Sequence, residues 1–401
     1  MTPPTIDNGV ELNRIICVLT GTRAEWGLLR WLAQEIMDET ELDLQLLVTG
    51  AHLSHEFGKT FREIEEDGFE ITERVEMLLA SDSPTAIARS VALGVIGIAD
   101  ALARLRPDVL VLLGDRYEIL AAAQAAMIAR VPVAHLHGGE ATEGVIDEAI
   151  RHSVTKMSHL HFVAADEYRR RVIQLGEHPD RVHEVGALGL DGILRNESVG
   201  LRELSDEIGV RLDRRPVILC TYHPVTLSDD LGMGELEELL SALDGFGQAT
   251  MVFTRANADE GGRAVNARID VFVAGAPQSR VAVGSLGQRR YLSLLREADV
   301  VVGNSSSALL EAPTLRTSTV NVGDRQRGRL RATSVLDVPA KREVILDALL
   351  TAVSPGFVEG CVTGESPFGT GGASSVIVEV LRTVDLAGLV DKSFYDVGWS
   401  P

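Results

Sequence analysis

The sequence predicts an α/β protein made of two Rossmann-like, doubly wound domains. Short apolar runs alternate with segments of helical periodicity along almost the whole chain, which is the pattern of parallel βα units. A charge-rich segment at residues 190–214 separates a first series of such units from a second. The length of 401 residues accommodates two domains of about 150–200 residues each.

Each series is defined by its predicted strands and helices. In the first series, strands are predicted at 14–19, 43–48, 71–75, 109–113, 131–136, 160–163 and 182–185, and the clearest helices at 85–105, 118–129, 146–157 and 167–175. In the second series, strands are predicted at 217–221, 250–254, 280–283, 299–302 and 319–322, and helices at 234–243, 262–269, 289–297, 306–312 and 342–352.

These elements set the predicted domain boundaries. We expect a flexible N-terminal tail at residues 1–13, a first domain at 14–195 and a second domain at 196–372. The last segment, 373–401, begins with a helical pattern after the turn-rich residues 366–372. We expect it to cross back onto the first domain.

Composition excludes several classes of partner. The net charge of -20 and the pI of about 4.9 argue against nucleic acid and anionic membranes, which both bind basic surfaces. The cysteines Cys17, Cys220 and Cys361 are far apart and show no CxxC spacing, so neither a disulfide framework nor a cysteine metal site is expected. The N-terminus has no apolar leader, and no later run is judged apolar enough to span a bilayer, which predicts a soluble cytoplasmic protein.

Candidate functional residues are sought after the strands, because open parallel sheets bind ligands at the carboxyl ends of their strands. The clearest group follows the apolar run 299–302 and comprises Gly303, Asn304, Ser305 and Ser306. Backbone N–H groups, hydroxyls and a helix dipole at one point suit a diphosphate, and Glu311 is placed to bind a ribose hydroxyl pair. The alternative is an ordinary serine helix cap.

Charged side chains also follow strands of the first series. Arg23 and Glu25 follow the first strand, in a motif that is not the GxGxxG of a nicotinamide-binding protein. Asp115 and Arg116 follow the strand 109–113, where the alternative is a capped helix with a surface ion pair.

The next strand and helix add an imidazole and further carboxylates. His137 and Glu140 follow the strand 131–136, and Asp147 and Arg151 lie one turn apart on the following helix. A metal site is not predicted from the two histidines, His135 and His137, that lie at this strand end.

The second series contributes an imidazole, an amide and an arginine cluster. His223 closes the strand 217–221, where it is suited to phosphate binding or to general acid catalysis, against the alternative of a core or cap histidine. Asn257 closes the next strand, and Arg325 leads the basic loop 325–329. In a chain this acidic, the loop is suited to compensating phosphate charge, although a solvated loop is the alternative.

On these motifs the chain resembles the UDP-N-acetylglucosamine 2-epimerase family, and specifically its hydrolysing branch from bacterial sialic acid synthesis. The matching motifs cover most of the chain and lie at 20–25, 113–118, 135–140, 151–157, 303–307, 322–328 and 366–374. The resemblance implies two Rossmann-like domains in the GT-B arrangement, with UDP bound mainly by the second domain and the sugar in the cleft. It also implies conversion of UDP-N-acetylglucosamine and water into N-acetylmannosamine and UDP, with no cofactor. We further expect a homodimer or homotetramer.

The resemblance assigns roles position by position. It implies that UDP is held by Arg23, Arg116, His223, Asn257, Ser305, Ser306, Glu311 and Arg325, and that Asp115, Glu140 and Asp147 are the carboxylates near the sugar. We add Glu25, Arg151, Gly303 and Asn304 to the predicted substrate site, and His223 to the catalytic set. His137 stands where several family members have Glu, so either His137 or Glu140 completes the acid/base pair.

The chemistry explains these residue types. The hydrogen on C2 of a pyranose becomes labile once UDP leaves C1, because positive charge develops next to it. The site must stabilise the departing diphosphate and supply acid/base groups on both faces of the sugar. The alternatives are the same reaction on UDP-2,4-diacetamido-2,4,6-trideoxy-glucose in legionaminic acid synthesis, a non-hydrolysing epimerase, a GT-B glycosyltransferase and a non-catalytic nucleotide-sugar sensor.

Overall fold

A computed structural model of the chain describes residues 13–81, 83–142, 145–195, 198–226, 228–256, 261–284, 286–364 and 366–398. The predicted tail at 1–13 therefore lies almost wholly outside the described residues. The chain divides into two compact units. Unit 1 contains the described residues of Met1–Glu140, Asp147–Asp191 and Gly371–Pro401, and unit 2 contains those of Ala141–Ile146 and Gly192–Thr370.

Unit 1 is built on a seven-stranded parallel sheet with the order β3-β2-β1-β4-β5-β6-β7. Its strands are β1 (Arg14–Thr20), β2 (Leu42–Thr49), β3 (Glu73–Val75), β4 (Val109–Leu113), β5 (Val133–Leu136), β6 (Leu160–Val163) and β7 (Val182–Glu184). Its helices up to the crossover are α1 (Arg23–Asp38), α2 (Phe61–Glu66), α3 (Pro84–Leu105), α4 (Tyr117–Ala129), α5 (Asp147–Met157), α6 (Asp166–Gln174) and α7 (Gly189–Arg195). The strand order reverses between β1 and β4, which is the switch point where such sheets bind ligands.

The sheet of unit 1 is buried on both faces. Alternate residues of β1 point to opposite sides, so Ile16 and Val18 pack with α1 while Cys17 and Leu19 pack with α3 and α4. This explains why the strands read as continuous apolar runs.

Helix α3 corrects one expectation from the sequence. By length and composition alone it is apolar enough to cross a membrane, so the expectation that no run reaches this threshold is wrong. In the structure α3 packs against α4, and its buried positions, which include Gly94, Ile98 and Leu102, recur at helical spacing along one face. Leu93 and Ile96 of the same helix are exposed.

Unit 2 is built on a six-stranded parallel sheet with the order β10-β9-β8-β11-β12-β13. Its strands are β8 (Val217–Thr221), β9 (Thr250–Thr254), β10 (Arg280–Val283), β11 (Val300–Gly303), β12 (Ser318–Val322) and β13 (Val335–Val338). Its helices are α8 (Leu201–Ile208), α9 (Met233–Gly245), α10 (Gly262–Ala274), α11 (Gly287–Glu297), α12 (Ser307–Leu310), α13 (Arg342–Ala352) and α14 (Pro355–Thr363).

Several elements of unit 2 differ from the sequence prediction, among them the unpredicted helices α8 and α14. The edge strand β13 was not predicted, because its half-buried residues show neither a continuous apolar run nor clear alternation. Helix α12 is shorter than the predicted 306–312 and forms a single turn, Ser307–Leu310.

The final helix, α15 (Ala373–Thr383), packs on α1 within unit 1. The buried carboxylate of Asp191 accepts hydrogen bonds from the backbone N–H groups of Gly372, Ala373 and Ser374 at 2.6, 3.0 and 2.7 Å. A carboxylate at this position accepts hydrogen bonds from the free N–H groups of the helix start, and its negative charge interacts favourably with the helix dipole. Asp191 therefore fixes where the last helix begins.

Candidate functional site

In unit 1, Asp115 follows β4 and forms an ion pair with Arg151 of α5. The Arg151 side chain is 1% exposed, whereas that of Asp115 is 22% exposed. Arg151 also donates to Oε2 of Glu148 at 2.9 Å and to the carbonyl oxygen of Glu140 at 3.0 Å. Burial lowers the pKa of Arg151, but the surrounding carboxylates, Asp115 first, more than offset this and raise it. Arg151 is thus a buried cation that orients Asp115, and the alternative of a surface ion pair is wrong for this aspartate.

His135 on β5 holds the turn that precedes Asp115. Its Nε2 lies 2.8 Å from the carbonyl oxygen of Gly114, and its Nδ1 lies 3.2 Å from the hydroxyl of Thr155. Burial lowers the pKa of His135 to about 3, so the ring is neutral, Nε2–H donates to Gly114 and Nδ1 accepts from Thr155. Since Gly114 has φ +79°, this hydrogen bond fixes a left-handed turn directly before Asp115.

His137 lies just beyond β5 with φ +62°, an uncommon conformation for a residue with a side chain. Its Nδ1 lies 2.7 Å from Oε1 of Glu140, and its Nε2 lies 3.2 Å from the backbone N–H of Leu188. A backbone N–H can only donate, so Nε2 is the acceptor and Nδ1 carries the proton that binds Glu140. Both ring nitrogens are therefore engaged within the protein.

Asp147 is the first residue of α5, half-buried and one helical turn before Arg151. The residues predicted near the sugar, Asp115, His137, Glu140, Asp147 and Arg151, thus lie on the loops and the helix start that follow β4 and β5. Glu140 itself is buried at 2% exposure. This end of the sheet is a cluster of carboxylates that the guanidinium of Arg151 partly compensates.

A second charged group lies where β1 and β4 end. The Arg116 Nε is 3.3 Å from Oε2 of Glu118 and 4.0 Å from Oε1 of Glu25. The Arg23 Nε is 2.6 Å from Oε2 of Glu63 on α2. Arg23 and Arg116, two of the three arginines predicted to hold UDP, are therefore paired with carboxylates of unit 1.

In unit 2, Asn304 joins the ends of β8 and β11. Its Oδ1 accepts from the backbone N–H of His223 at 2.7 Å, and its Nδ2 donates to the carbonyl of His223 at 2.8 Å. Gly303 has φ +135°, and a Cβ atom there would lie 2.0 Å from the carbonyl oxygen of Thr221. The glycine is required by this close approach, and Asn304 is a backbone clamp that fixes His223.

The loop after β12 reinforces this clamp. Arg325 donates to the carbonyl oxygens of Asn304 at 3.1 Å and of Pro224 at 3.3 Å. Gln326, which the sequence analysis did not select, is buried and donates to the same Asn304 oxygen at 2.8 Å. Its only sequence signal was its place within the arginine cluster. The alternative of a solvated loop is wrong for Arg325, because its guanidinium binds two strand-end carbonyls.

At the predicted phosphate site, residues 303–306, the serine hydroxyls are present but the expected helix is reduced to one turn. Ser305 and Ser306 precede α12, whose single turn supplies little of the expected helix dipole. Glu311 Oε2 accepts from the Ser307 hydroxyl at 2.5 Å, and the same hydroxyl lies 2.5 Å from the Tyr291 hydroxyl. Burial raises the pKa of Tyr291, so its hydroxyl stays protonated.

Asn257 lies outside the described residues, so its predicted role is left as a prediction. Within the parts of the chain that the structure describes, no group of three or more His, Cys, Asp or Glu side chains is placed to hold a metal ion.

Comparisons with known proteins define the family. The sequence profile of the family described as UDP-N-acetylglucosamine 2-epimerase matches residues 34–382. The GDP/UDP-N,N'-diacetylbacillosamine 2-epimerase (hydrolyzing) of Campylobacter jejuni is 42% identical over 324 residues, which are 81% of this chain and 84% of that protein. The polysialic acid biosynthesis protein P7 of Escherichia coli is 35% identical over 384 residues, which are 95% of this chain and 97% of that protein.

A solved structure gives the fold independently. The UDP-GlcNAc 2-epimerase from Neisseria meningitidis bound to UDP-GlcNAc matches with a TM-score of 0.77 at 17% identity, over 92% of this chain and 99% of that chain. At this identity the likeness shows the fold alone. It confirms the predicted class of two Rossmann-like α/β domains of the GT-B type.

Proposed function

The chain belongs to the UDP-N-acetylglucosamine 2-epimerase family, and we propose that it converts a UDP-linked 2-acetamido sugar and water into UDP and the free 2-epimer. The observation that carries the proposal is the Asp115–Arg151 pair beside Glu140 at the ends of β4 and β5. A glycosyltransferase needs no such carboxylate cluster, because its chemistry does not touch C2. A nucleotide-sugar sensor needs none either.

In the proposed reaction, UDP leaves C1 as a base removes the hydrogen from C2, which gives a 2-acetamidoglucal. Water then adds to C1 while an acid delivers a proton to the opposite face of C2, so the product has the inverted configuration. We assign the two proton-transfer roles to Asp115 and Glu140, with Asp147 as a further sugar-contacting carboxylate. Arg151 holds Asp115 in place, since a misplaced catalytic group loses most of its effect.

His137 then serves as a positioning residue. The Leu188 N–H occupies its Nε2, so the remaining ring proton is directed at Glu140. This hydrogen bond supports Glu140, and not His137, as the partner of Asp115. We therefore propose the carboxylate of Glu140, of the two alternatives left by the sequence, as the acid/base group.

Unit 2 supplies several of the groups that we propose for the departing diphosphate. Ser305 and Ser306 supply hydroxyls, Arg325 supplies positive charge, and His223 supplies an imidazole whose backbone Asn304 fixes. Stabilising the charge that develops on the leaving group is the main way to accelerate such an elimination. Glu311 is the proposed ribose contact. A ribose hydroxyl would replace the Ser307 hydroxyl as its hydrogen-bond donor.

Two sugars are candidate substrates. The Campylobacter relative, at 42% identity, carries the name of an enzyme for the 2,4-diacetamido sugar N,N'-diacetylbacillosamine. The Escherichia relative, at 35% identity, is named for polysialic acid biosynthesis, and we take this name as support for UDP-N-acetylglucosamine as the substrate of this chain. We propose the diacetamido sugar first, and the N-acetylglucosamine nucleotide second. A homodimer or homotetramer is proposed as the assembly, to be measured by analytical ultracentrifugation.

The test is product analysis with both UDP-sugars in D₂O and in H₂¹⁸O. We expect free UDP, one deuterium at C2 and ¹⁸O at C1 of a sugar with the manno configuration. Release of a sugar that keeps the gluco configuration without deuterium would identify a simple hydrolase. A sugar returned still attached to UDP would identify a non-hydrolysing epimerase, and no turnover of either nucleotide would overturn the proposal.

Asp115→Asn is the matched variant for this test. It removes the carboxylate charge while staying nearly isosteric, so we expect UDP to bind while sugar release falls by about a hundredfold or more. Wild-type turnover in this variant would contradict the assignment of Asp115.

A further inference from the structure

The group at the ends of β1 and β4 contains two acidic side chains that the reaction does not use. Glu25 is the third residue of α1, and Glu118 is the second residue of α4. Their exposures are 7% and 0%, so both carboxylates are withdrawn from bulk water. Buried carboxylates are costly unless they are paired or hydrogen-bonded, so their presence requires a physical reason.

For Glu118, the partner that stabilises the buried carboxylate is Arg116. The guanidinium lies within 3.4 Å of both carboxylate oxygens of Glu118, with Nε 3.3 Å from Oε2 and Nη2 3.4 Å from Oε1. The Glu25 carboxylate approaches from the other helix, with Oε1 4.0 Å from the same Nε. The Arg116 side chain is 15% exposed, so part of it reaches the surface at the switch point of the sheet.

The two carboxylates are themselves fixed. Glu25 Oε2 accepts from the backbone N–H groups of Gly21 at 2.7 Å and Thr22 at 3.2 Å, as the acceptor of a helix capping box. Glycines form the wall beside Glu118: a Cβ at Gly21 would lie 3.3 Å from Glu118 Cγ, and one at Gly50 would lie 3.0 Å from it. Gly50 also has φ +59°, so larger residues are disfavoured there.

We propose that Glu118 and Glu25 are positioning residues that hold Arg116 between them and so orient its guanidinium for the diphosphate of the substrate. This rests on the proposed function, because it takes a nucleotide diphosphate as the anion. Glu25, which was predicted from the sequence to bind the substrate directly, is here proposed to act on it through Arg116, as is Glu118. They act through the orientation and the net charge of the Arg116 group.

The proposal predicts a pH dependence, because the net charge of the group formed by Arg116, Glu118 and Glu25 changes when Glu25 ionises. Burial, followed by the nearby Glu118, raises the pKa of Glu25 to about 7, although Arg116 and two backbone N–H groups oppose the shift. With Glu25 protonated, Arg116 and an ionised Glu118 sum to zero charge. With Glu25 ionised, the group carries one net negative charge, which repels a diphosphate.

Glu63 and His52 are two further titratable groups near Glu25. Arg23, on the same helix as Glu25, is paired with Glu63, whose pKa is raised by burial. The pKa of the buried His52, which hydrogen-bonds Thr20 at the end of β1, is lowered to about 4 by burial. His52 is therefore neutral throughout the range in which Glu25 changes charge.

The experiment is UDP binding by calorimetry from pH 6 to pH 8.5 for the wild type, Glu25→Gln and Glu118→Gln. Glutamine imitates the protonated Glu25, so we expect equal dissociation constants at pH 6. At pH 8.5 the wild type should bind about tenfold more weakly than Glu25→Gln, the order expected for one extra charge near a hydrated diphosphate. Taking the ratio of the two constants removes the titration of UDP itself.

Glu118→Gln gives an independent readout. Removing the Glu118 charge should move the Glu25 titration to lower pH, and kcat/KM should fall by about tenfold because Arg116 is no longer aligned. The matched control is Glu65→Gln, which breaks an exposed ion pair with Arg74 and should match the wild type in both measurements.

The outcomes separate the two proposals. Absence of UDP binding by the wild type at pH 6 would overturn the proposed function. UDP binding with a ratio for Glu25→Gln that stays constant with pH would overturn this inference alone. If Glu118→Gln does not fold, as judged by circular dichroism, the Glu25→Gln series still decides.

Discussion

The side chain of Asn304 binds both backbone polar groups of His223, its Oδ1 accepting from the N–H at 2.7 Å and its Nδ2 donating to the carbonyl at 2.8 Å. These residues are 81 positions apart and end neighbouring strands. The fully buried amide of Asn304 takes the place of the backbone hydrogen-bond partners that His223 lacks where the two strands diverge. The imidazole of His223 is therefore presented by a rigid support.

Replacing Asn304 with Asp should damage this support at nearly constant volume. The carboxylate accepts from the His223 N–H but faces its carbonyl without a proton to donate, and a buried unsatisfied group costs about 1–3 kcal/mol, more when charged. We expect the free energy of unfolding in urea to fall by about 3 kcal/mol and UDP to bind at least tenfold more weakly.

The matched control for Asn304→Asp is Asn266→Asp. Asn266 makes the same two hydrogen bonds to the backbone of Ala256, at 2.8 and 3.2 Å, but is only half-buried. A smaller loss of stability is expected there, because solvent screens the new charge. Equal losses in the two variants would show that burial of Asn304 does not matter.

Gly303→Ala tests the close approach of β11 to β8. The new methyl group would lie 2.0 Å from the Thr221 carbonyl oxygen, and φ +135° is disfavoured for any residue with a side chain. We expect a loss of about 3 kcal/mol or more, measured by urea unfolding. Gly284→Ala is the control, since its methyl group would meet open space among the described residues, and it should change stability by less than about 1 kcal/mol.

The fold was predictable because apolar runs and helical periods report burial directly. The strand 109–113 matches β4 residue for residue, and the strand 217–221 matches β8. The edge strand β13 and the length of α12 were not predictable in this way. Both are short, and their extent depends on neighbours that are distant in the sequence.

The sequence predicted which residues belong to the site better than it predicted what each of them does there. Strand-end position and the family resemblance selected Asp115, Arg151 and Asn304 before any contact was known. That Arg151 is buried under Asp115, and that Asn304 binds protein backbone, depends on side chains 36 and 81 residues apart. Local sequence patterns hold no information on such distant pairs.

Unit 1 offers a separate test in the buried carboxylate of Glu177. Lys392 of the C-terminal segment lies 2.9 Å from Glu177 Oε2, Lys156 lies 2.5 Å from Oε1 and His161 lies 3.0 Å from Oε2. Burial raises the pKa of Glu177, but His161 and the two lysines more than offset this and lower it to about 2. The folded-state pKa is below that of a free glutamate, so this stabilisation is present above about pH 4.5 and is lost as the pH falls towards 2.

Lys392→Ala should therefore destabilise the protein at pH 7 by about 2 kcal/mol, because it leaves a buried carboxylate with fewer partners. Lys156→Ala should cost less, since the Lys156 side chain is 38% exposed against 21% for Lys392. Thermal unfolding at pH 7 measures both. Equal and negligible shifts in the unfolding temperature would mean that water solvates the Glu177 carboxylate in place of the lysines without cost.

His137 gives the most discriminating test of the proposed chemistry, because two substitutions separate its two nitrogens. Asparagine places an amide N–H near the position of Nδ1 and tolerates the left-handed conformation that His137 adopts, φ +62°. Glutamine places its amide nearer Nε2. If His137 only positions Glu140, His137→Asn should keep activity within about tenfold of the wild type, while His137→Gln should lose about a hundredfold.

Deuterium incorporation at C2, followed from pH 5.5 to pH 9, is the readout for this pair. A positioning role predicts that His137→Asn keeps the shape of the wild-type pH profile, since the titrating groups of the reaction are unchanged. If the imidazole itself moved the proton, both variants would lose exchange alike, and the part of the profile where imidazole titrates would disappear. That result would return the acid/base role from Glu140 to His137.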